Sequence, residues 1–249
     1  MYQYSSTGFL FLLLDLKILA LPKHNLSNSL ILKIQDTFPF SLLMNHLAHI
    51  FLSGKDRNVM MGNLIADFIT GRETRLCAPK FLSGIQLHYA IDVYTDAHPI
   101  VKLSTKHLHA YHHKYAPVIV DIFYDFFLAR HWHIYAPQMN ISTDMRTFIN
   151  NTYNVLQINQ SDLPEKLSKP LSNMIKNDWL FQSTQLEGQK KVFSMLKKRA
   201  NFENNFTDAV NHLLEFETDL ENEFNLFFPD LISHVLKFLE STSFNSRNF

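Results

Sequence analysis

His88, Asp92 and Asp96 stand four residues apart in Gly84-Ile-Gln-Leu-His88-Tyr-Ala-Ile-Asp92-Val-Tyr-Thr-Asp96-Ala-His98-Pro99. On a helix each such step drifts by only about 40°, so one imidazole and two carboxylates share a face. Leu87, Ile91 and Val93 fall elsewhere on that wheel, so the trio is not simply the solvated side of an amphipathic helix. Imidazole and carboxylate oxygens suit a hard or borderline divalent ion such as Mn²⁺, and the absence of clustered thiols argues against structural zinc. A bound divalent ion lowers the pKa of its water and neutralises charge on a phosphoryl oxygen, so such a site points to phosphate chemistry. Ordinary surface networks show the same His/Asp spacing, and that alternative stays open at this level.

Two more acidic segments are embedded in apolar sequence: Asp67 in Gly62-Asn63-Leu-Ile-Ala-Asp67-Phe68, and the Asp121/Asp125 pair in Val120-Asp121-Ile-Phe-Tyr-Asp125-Phe-Phe-Leu. An acid on an apolar face is costly unless it is paired or bound to a metal. Asn45 and His49 lie one turn apart, and His49 is either a hydrogen-bonded core residue or a further ligand. Asn63 and Asp67 repeat the spacing, with Asn63 either orienting a carboxylate or capping a helix. His107, His109, His112 and His113 stand among Lys102, Lys106 and Lys114 and read as a solvated basic face outside the site. The sequence has no Gly-rich phosphate loop, Gly-x-Ser-x-Gly elbow or dinucleotide fingerprint, which removes the usual support for nucleotide-loop and serine-hydrolase classes.

The elements that must carry these groups are helices. Six glycines are few, and prolines at 79, 99, 117, 137, 164, 170 and 229 punctuate segments long enough for helices, which predicts an all-α fold. Residues 204 to 228 show the clearest three- and four-residue periodicity, with Phe206, Val210, Leu213, Leu220, Phe224 and Phe227, and Pro229 is expected to stop the run. No segment alternates apolar and polar residues between hairpin turns. The stretch from Asn140 to Lys169 is expected to hold loops and one shorter helix.

The chain has 249 residues, 46% of them hydrophobic, with 22 Phe, enough for one sizeable core. Lys+Arg and Asp+Glu number 23 each, so net charge offers no general attraction for nucleic acid or an anionic membrane, and any charged partner must be met by a local patch. Gln189-Lys190-Lys191-Val-Phe-Ser-Met-Leu-Lys197-Lys198-Arg199 is the densest such patch. Lys190, Lys191, Lys197, Lys198 and Arg199 form either a solvated face or a dock for an acidic helical protein. Cys77 is the lone cysteine, so no intramolecular disulfide forms, and a cytoplasmic location is the expectation. The apolar run from Gly8 to Leu14 is too short to span a bilayer and lacks the flanks of a secretory signal.

These motifs together resemble the acyl carrier protein phosphodiesterase family, also called acyl carrier protein hydrolases. The resemblance rests on Met44-Asn45-x-Leu47-Ala48-His49, Gly62-Asn63-Leu64-x-Ala66-Asp67-Phe68 and Gly84-Ile85-x-x-His88-x-x-Ile91-Asp92-x-x-Thr95-Asp96-x-His98-Pro99. Further on come Ala116-Pro117, Asp121-x-x-x-Asp125-x-Phe127-Leu128, Arg130-His131-Trp132 and Leu220-Glu221-x-x-Phe224-x-x-Phe227-x-Pro229. Residues 1–43 are then an extension outside a single helical domain over 44–249. The family removes 4′-phosphopantetheine from holo acyl carrier protein by hydrolysing its phosphodiester link to a serine, requires Mn²⁺, and is a helical relative of the HD-type metal phosphohydrolases. The resemblance implies His49, Asp67, His88, Asp92 and Asp125 as metal ligands, and Asp96 and His131 as proton-transfer or phosphate-orienting groups. Holo acyl carrier protein is the implied partner, with no nucleic acid and no membrane. Three positions depart from the pattern: Phe126 where the family has His, Tyr89 where it commonly has Arg, and His46 where it has an aromatic. An HD-like phosphohydrolase of a small nucleotide and a non-catalytic carrier-binding protein are the competing readings.

Overall fold

The computed structural model describes residues 46–75, 77–200 and 203–245, with the side chains of 71, 72, 199 and 242–245 left aside. The proposed extension 1–43, with Met44 and Asn45, lies outside the described residues. Ten helices carry the architecture: α1 (His46–Leu52), α2 (Arg57–Ile65), α3 (Leu82–Ala97), α4 (Pro99–His112), α5 (Ala116–Arg130), α6 (Met145–Ile158), α7 (Ser168–Lys176), α8 (Leu186–Arg199), α9 (Ala209–Glu215) and α10 (Glu217–Asn245). Single turns connect them, and the described residues contain no strand, so the all-α expectation holds.

Local chemistry sets the helix starts. The Asp56 carboxylate accepts from the amides of Asn58 and Val59, capping α2 at 2.8 and 3.1 Å. Pro99 and Pro117 occupy first-turn positions of α4 and α5, where a missing N–H costs no helical bond. Asp144 caps α6, the helix expected within 140–169. Pro229 behaves differently from expectation. The 204–228 run breaks into a short turn, α9 and α10, and α10 continues through Pro229 to Asn245. Proline forfeits the bond to the carbonyl four residues earlier, but Phe227, Phe228, Leu231, Ile232 and Val235 are buried on either side of it and hold the helix by packing.

The core is built from aromatic rings. Phe224 and Phe228 stack at 4.8 Å, Phe51 meets Trp132 edge-on at 5.1 Å, and Tyr135 meets Phe228 at 5.1 Å. Each such ring contributes about 1.5–3 kcal/mol by burial. Two close approaches then position the functional groups. Gly62 of α2 faces Gly84 of α3, where a Cβ on Gly62 would lie 2.0 Å from the Phe81 carbonyl oxygen and one on Gly84 would lie 2.1 Å from that of Val59. Any larger residue drives these backbones apart, so the glycine pair brings Asn63 within reach of His88. Gly188 similarly lets α8 press on the Trp179–Gln182 turn, since a Cβ there would lie 1.7 Å from the Gln182 oxygen. The buried Gln189 amide donates to the carbonyls of Ile122 and Ser183, both at 2.9 Å, fastening α8 to α5.

Candidate metal centre

His46 and His49 come from α1, Asn63 from α2, Asp67 from the 3-10 turn Ala66–Phe68, His88 and Asp92 from α3. His49 Nε2 lies 3.4 Å from Asp92 Oδ1, and His88 Nε2 lies 3.3 Å from both Asp92 Oδ2 and Asp67 Oδ1. The two imidazoles stack at 4.3 Å. Ligand atoms of His49, His88 and Asp92 all fall within 4.8 Å of one another, close enough for one ion. Both histidines are buried, whereas the Asp92 side chain is 29% exposed, so the cluster opens to solvent on the Asp92 side.

Asn63 explains why both rings present the same atom. Its Oδ1 lies 2.8 Å from His49 Nδ1 and 3.2 Å from His88 Nδ1, while its Nδ2 donates to the His49 carbonyl at 2.8 Å and to Ser53 Oγ at 3.0 Å. With both Nδ2 hydrogens spent, Oδ1 can only accept, so each Nδ1 carries the proton shared with it and each Nε2 points at the carboxylates. Fixing the tautomer from behind is how a ligating histidine is prepared for a metal. The electrostatics agree. Burial opposes charge on both His88 and Asp67, yet the Asp92 and Asp67 carboxylates hold His88 protonated above its ordinary range, and His88, His46 and His49 hold the Asp67 carboxyl low. An imidazolium supplies here the positive charge that a cation would supply. Two imidazole nitrogens and the oxygens of Asp67 and Asp92 suit a borderline divalent ion.

The other expected residues lie at graded distances from this cluster. Asp125 accepts from the amides of Leu47 at 3.2 Å and Ala48 at 2.9 Å, so its carboxylate holds the start of α1 beside His49. Burial raises its pKa to about 7 against the lowering effect of those amides. Asp96 lies one turn beyond Asp92, and its charge is the largest electrostatic influence on Asp121. Burial and the carboxylates of Asp96, Asp92, Asp125 and Asp67 push Asp121 well above the usual carboxyl range, which places Asp121 on the same acidic face. The structure does not bring His131 there. Its Nε2 bonds Glu221 of α10 at 2.7 Å, beside the Arg130 pairs with Glu217 and Glu221, a clamp between the end of α5 and α10. Phe126 lies under the Arg130 guanidinium, 4.8 Å from its ring centroid, and Tyr89 meets the His88 ring edge-on. His46 stacks on Phe68 at 5.6 Å, as an aromatic would, and adds a nitrogen 3.4 Å from Asp67.

The histidines of α4 and of the turn after it depart in part from a solvated face. His109 and His113 are exposed with Lys102, Lys106 and Lys114, but His112 is buried and hydrogen-bonds His212 at 2.9 Å, and His107 bonds the buried Glu223 at 2.9 Å. The basic patch on α8 divides. Lys190, Lys191 and Lys198 line a cavity of about 680 Å³ that also reaches His46 and Asp125, whereas Lys197 turns to Thr207 on another side and the Arg199 side chain is outside the described set. Asn63, Asp121 and Ser53 were the least visible participants. The sequence signals for Asn63 are its spacing from Asp67 and its place in the Gly62-Asn63-Leu64 motif, those for Asp121 are its apolar surroundings and its spacing from Asp125, and Ser53 carries none.

A single helical core holding a buried His/Asp cluster that opens to solvent at Asp92 defines an all-α protein with a candidate divalent-metal centre. The profile of the acyl carrier protein phosphodiesterase family matches residues 44–231, and the chain belongs to that family. It is 28% identical over 178 residues to an acyl carrier protein phosphodiesterase of Pectobacterium atrosepticum, covering 70% of this chain and 90% of the relative. The corresponding protein of an Enterobacter strain is 26% identical over 189 residues, covering 76% and 96%. That of Serratia proteamaculans is 36% identical over 98 residues, or 39% and 51% of the two chains. No solved structure gives a significant match. Among the described residues no helix is long and apolar enough to cross a membrane.

Proposed function

We propose that this protein hydrolyses the phosphodiester joining 4′-phosphopantetheine to a serine of holo acyl carrier protein, releasing apo carrier and 4′-phosphopantetheine. Mn²⁺ or a similar divalent ion is held by His49, Asp67, His88 and Asp92, with Asp125 behind them. The observation that carries the reading is the convergence of two Nε2 atoms and two carboxylates in front of Asn63, on a chain of this family. A divalent ion there lowers the pKa of its water and neutralises charge on a phosphoryl oxygen.

The chain's own residues supply the rest. Asn63 orients both imidazoles, and Asp125 fixes α1 so that His49 stays in register. Serine alkoxide is a poor leaving group and needs a proton as its bond to phosphorus breaks. Asp121 supplies it, because burial first and then the charges of Asp96, Asp92, Asp125 and Asp67 hold its carboxyl well above the usual range, and Asp96 orients the phosphate or relays the proton. His131 is hydrogen-bonded to Glu221, and we give it no step in this scheme. The exposed cations of α8 meet the acidic carrier, and the reaction belongs to the cytoplasm. Intact-mass analysis of holo carrier after incubation with the protein and Mn²⁺ tests the proposal. Conversion to apo carrier with free 4′-phosphopantetheine is expected, and unchanged holo carrier overturns it.

A further inference from the structure

The cavity that α8 shares with His46 and Asp125 has a volume of about 680 Å³, within the range of about 300–1,000 Å³ usual for small-molecule sites. Its lining is mixed in character. Trp179, Val192 and Met195 offer apolar surface, and Gln182, Ser183 and Ser194 offer hydrogen-bonding groups. One end is deep, at the buried His46 and Asp125, which touch the metal centre through Asp67 and the backbone of α1. The opposite edge is exposed and basic. Lys190 is paired there with Glu187 at 2.6 Å, while Lys191 and Lys198 carry their charge on the cavity wall. The close contact of Gly188 with the Gln182 carbonyl and the two bonds of the Gln189 amide fasten this wall to α5 and to the Trp179–Gln182 turn.

Resting on the function proposed above, we infer that this cavity holds the 4′-phosphopantetheine arm, with its phosphate at the His46/Asp125 end and the arm running along the inner face of α8. A chain of amides separated by short alkyl segments suits a wall that carries both polar and apolar side chains, and a phosphate at the His46/Asp125 end lies next to residues that contact Asp67 and the start of α1. The carrier covers the open side, where Lys191 and Lys198 meet its acidic surface. The arm is thus bound by its own contacts, and the free arm binds without the carrier.

Trp179 makes this measurable. The chain has two tryptophans, and Trp132 is buried between Phe51 and Phe148, away from the cavity. Titrating the full chain with free 4′-phosphopantetheine is expected to give a saturable change in tryptophan fluorescence that disappears in Trp179→Phe. By calorimetry, Ser194→Phe, which places a ring in the cavity, is expected to weaken binding at least tenfold. Absence of a saturable change in the wild type, or its survival in Trp179→Phe, overturns the inference, as does wild-type affinity in a folded Ser194→Phe. If Ser194→Phe fails to fold, the Trp179→Phe titration decides alone. Incubation of the same preparation with holo carrier separates the two claims: release of apo carrier without binding of the free arm refutes only the cavity assignment, and binding without release refutes only the hydrolysis.

Discussion

Replacing Asn63 by leucine removes the amide that fixes both histidines while keeping a side chain of similar reach. Asn63 is fully buried, and its Oδ1 is the partner of His49 Nδ1 at 2.8 Å and His88 Nδ1 at 3.2 Å. In Asn63→Leu both ring N–H groups lose their acceptor, at about 1–3 kcal/mol each. Folding stability should therefore drop by about 2–6 kcal/mol, a large share of the total of a typical domain. Freed rings can also place the proton on Nε2, which blocks ligation. Loss of such an orienting partner weakens metal binding about 10- to 100-fold, or about 1.4–2.8 kcal/mol. Calorimetric titration with Mn²⁺ below the melting temperature separates the two effects, and Asn63→Asp, which retains an acceptor, should keep most of the affinity. Mn²⁺ affinity within threefold of wild type in folded Asn63→Leu would refute the tautomer argument.

Asp67→Asn, His88→Ala and Asp92→Asn should each abolish release of 4′-phosphopantetheine with little change in circular dichroism, and near-normal turnover in any two at saturating Mn²⁺ contradicts the ligand set. Gly84→Ala puts a methyl 2.1 Å from the Val59 oxygen and should cost about 1–3 kcal/mol in denaturant titrations, with weaker Mn²⁺ binding as α2 and α3 separate. Reversing Lys191 and Lys198 to Glu should raise KM for holo carrier steeply at low salt and less at high salt, and an unchanged KM makes that wall a solvated face. Burial lowers the pKa of His112 from 6.5 to about 4, helped by the neighbouring His212. A depressed histidine binds fewer protons folded than unfolded, so its contribution is complete above pH 6.5 and is lost as pH falls toward about 4, by at most about 3 kcal/mol. Melting temperatures of wild type and His112→Gln across that window should converge at the acidic end, and parallel curves contradict the assignment.

Most of the candidate His/Asp cluster is readable in the sequence because helical spacing is a local property. His88 and Asp92 share a face by periodicity alone, and acids inside apolar segments flagged Asp67 and Asp125. What stayed hidden depends on tertiary contact. Nothing in the spacing of Asn63 says that it sits between two imidazoles, since that follows from Gly62 meeting Gly84 across two helices. Nothing local in the sequence sets His131 apart from the other histidines, since its partner Glu221 lies 90 residues later. Pro229 read as a stop because a proline does break an isolated helix, whereas burial of residues on both sides carries α10 through it. The lysines of α8 formed one patch in sequence but point to two sides once the helix is docked. His112 read as solvated because its partner His212 lies a hundred residues on, in α9.

The most direct test of hydrolysis at phosphorus follows where the water oxygen goes. Holo carrier protein is incubated with the enzyme and Mn²⁺ in water enriched in heavy oxygen, and both products are analysed by mass spectrometry. Attack on phosphorus with departure of the serine oxygen predicts one heavy oxygen in the phosphate of 4′-phosphopantetheine and none in the carrier serine. Label in the serine, loss of the serine hydroxyl by elimination, or unlabelled 4′-phosphopantetheine contradicts the account.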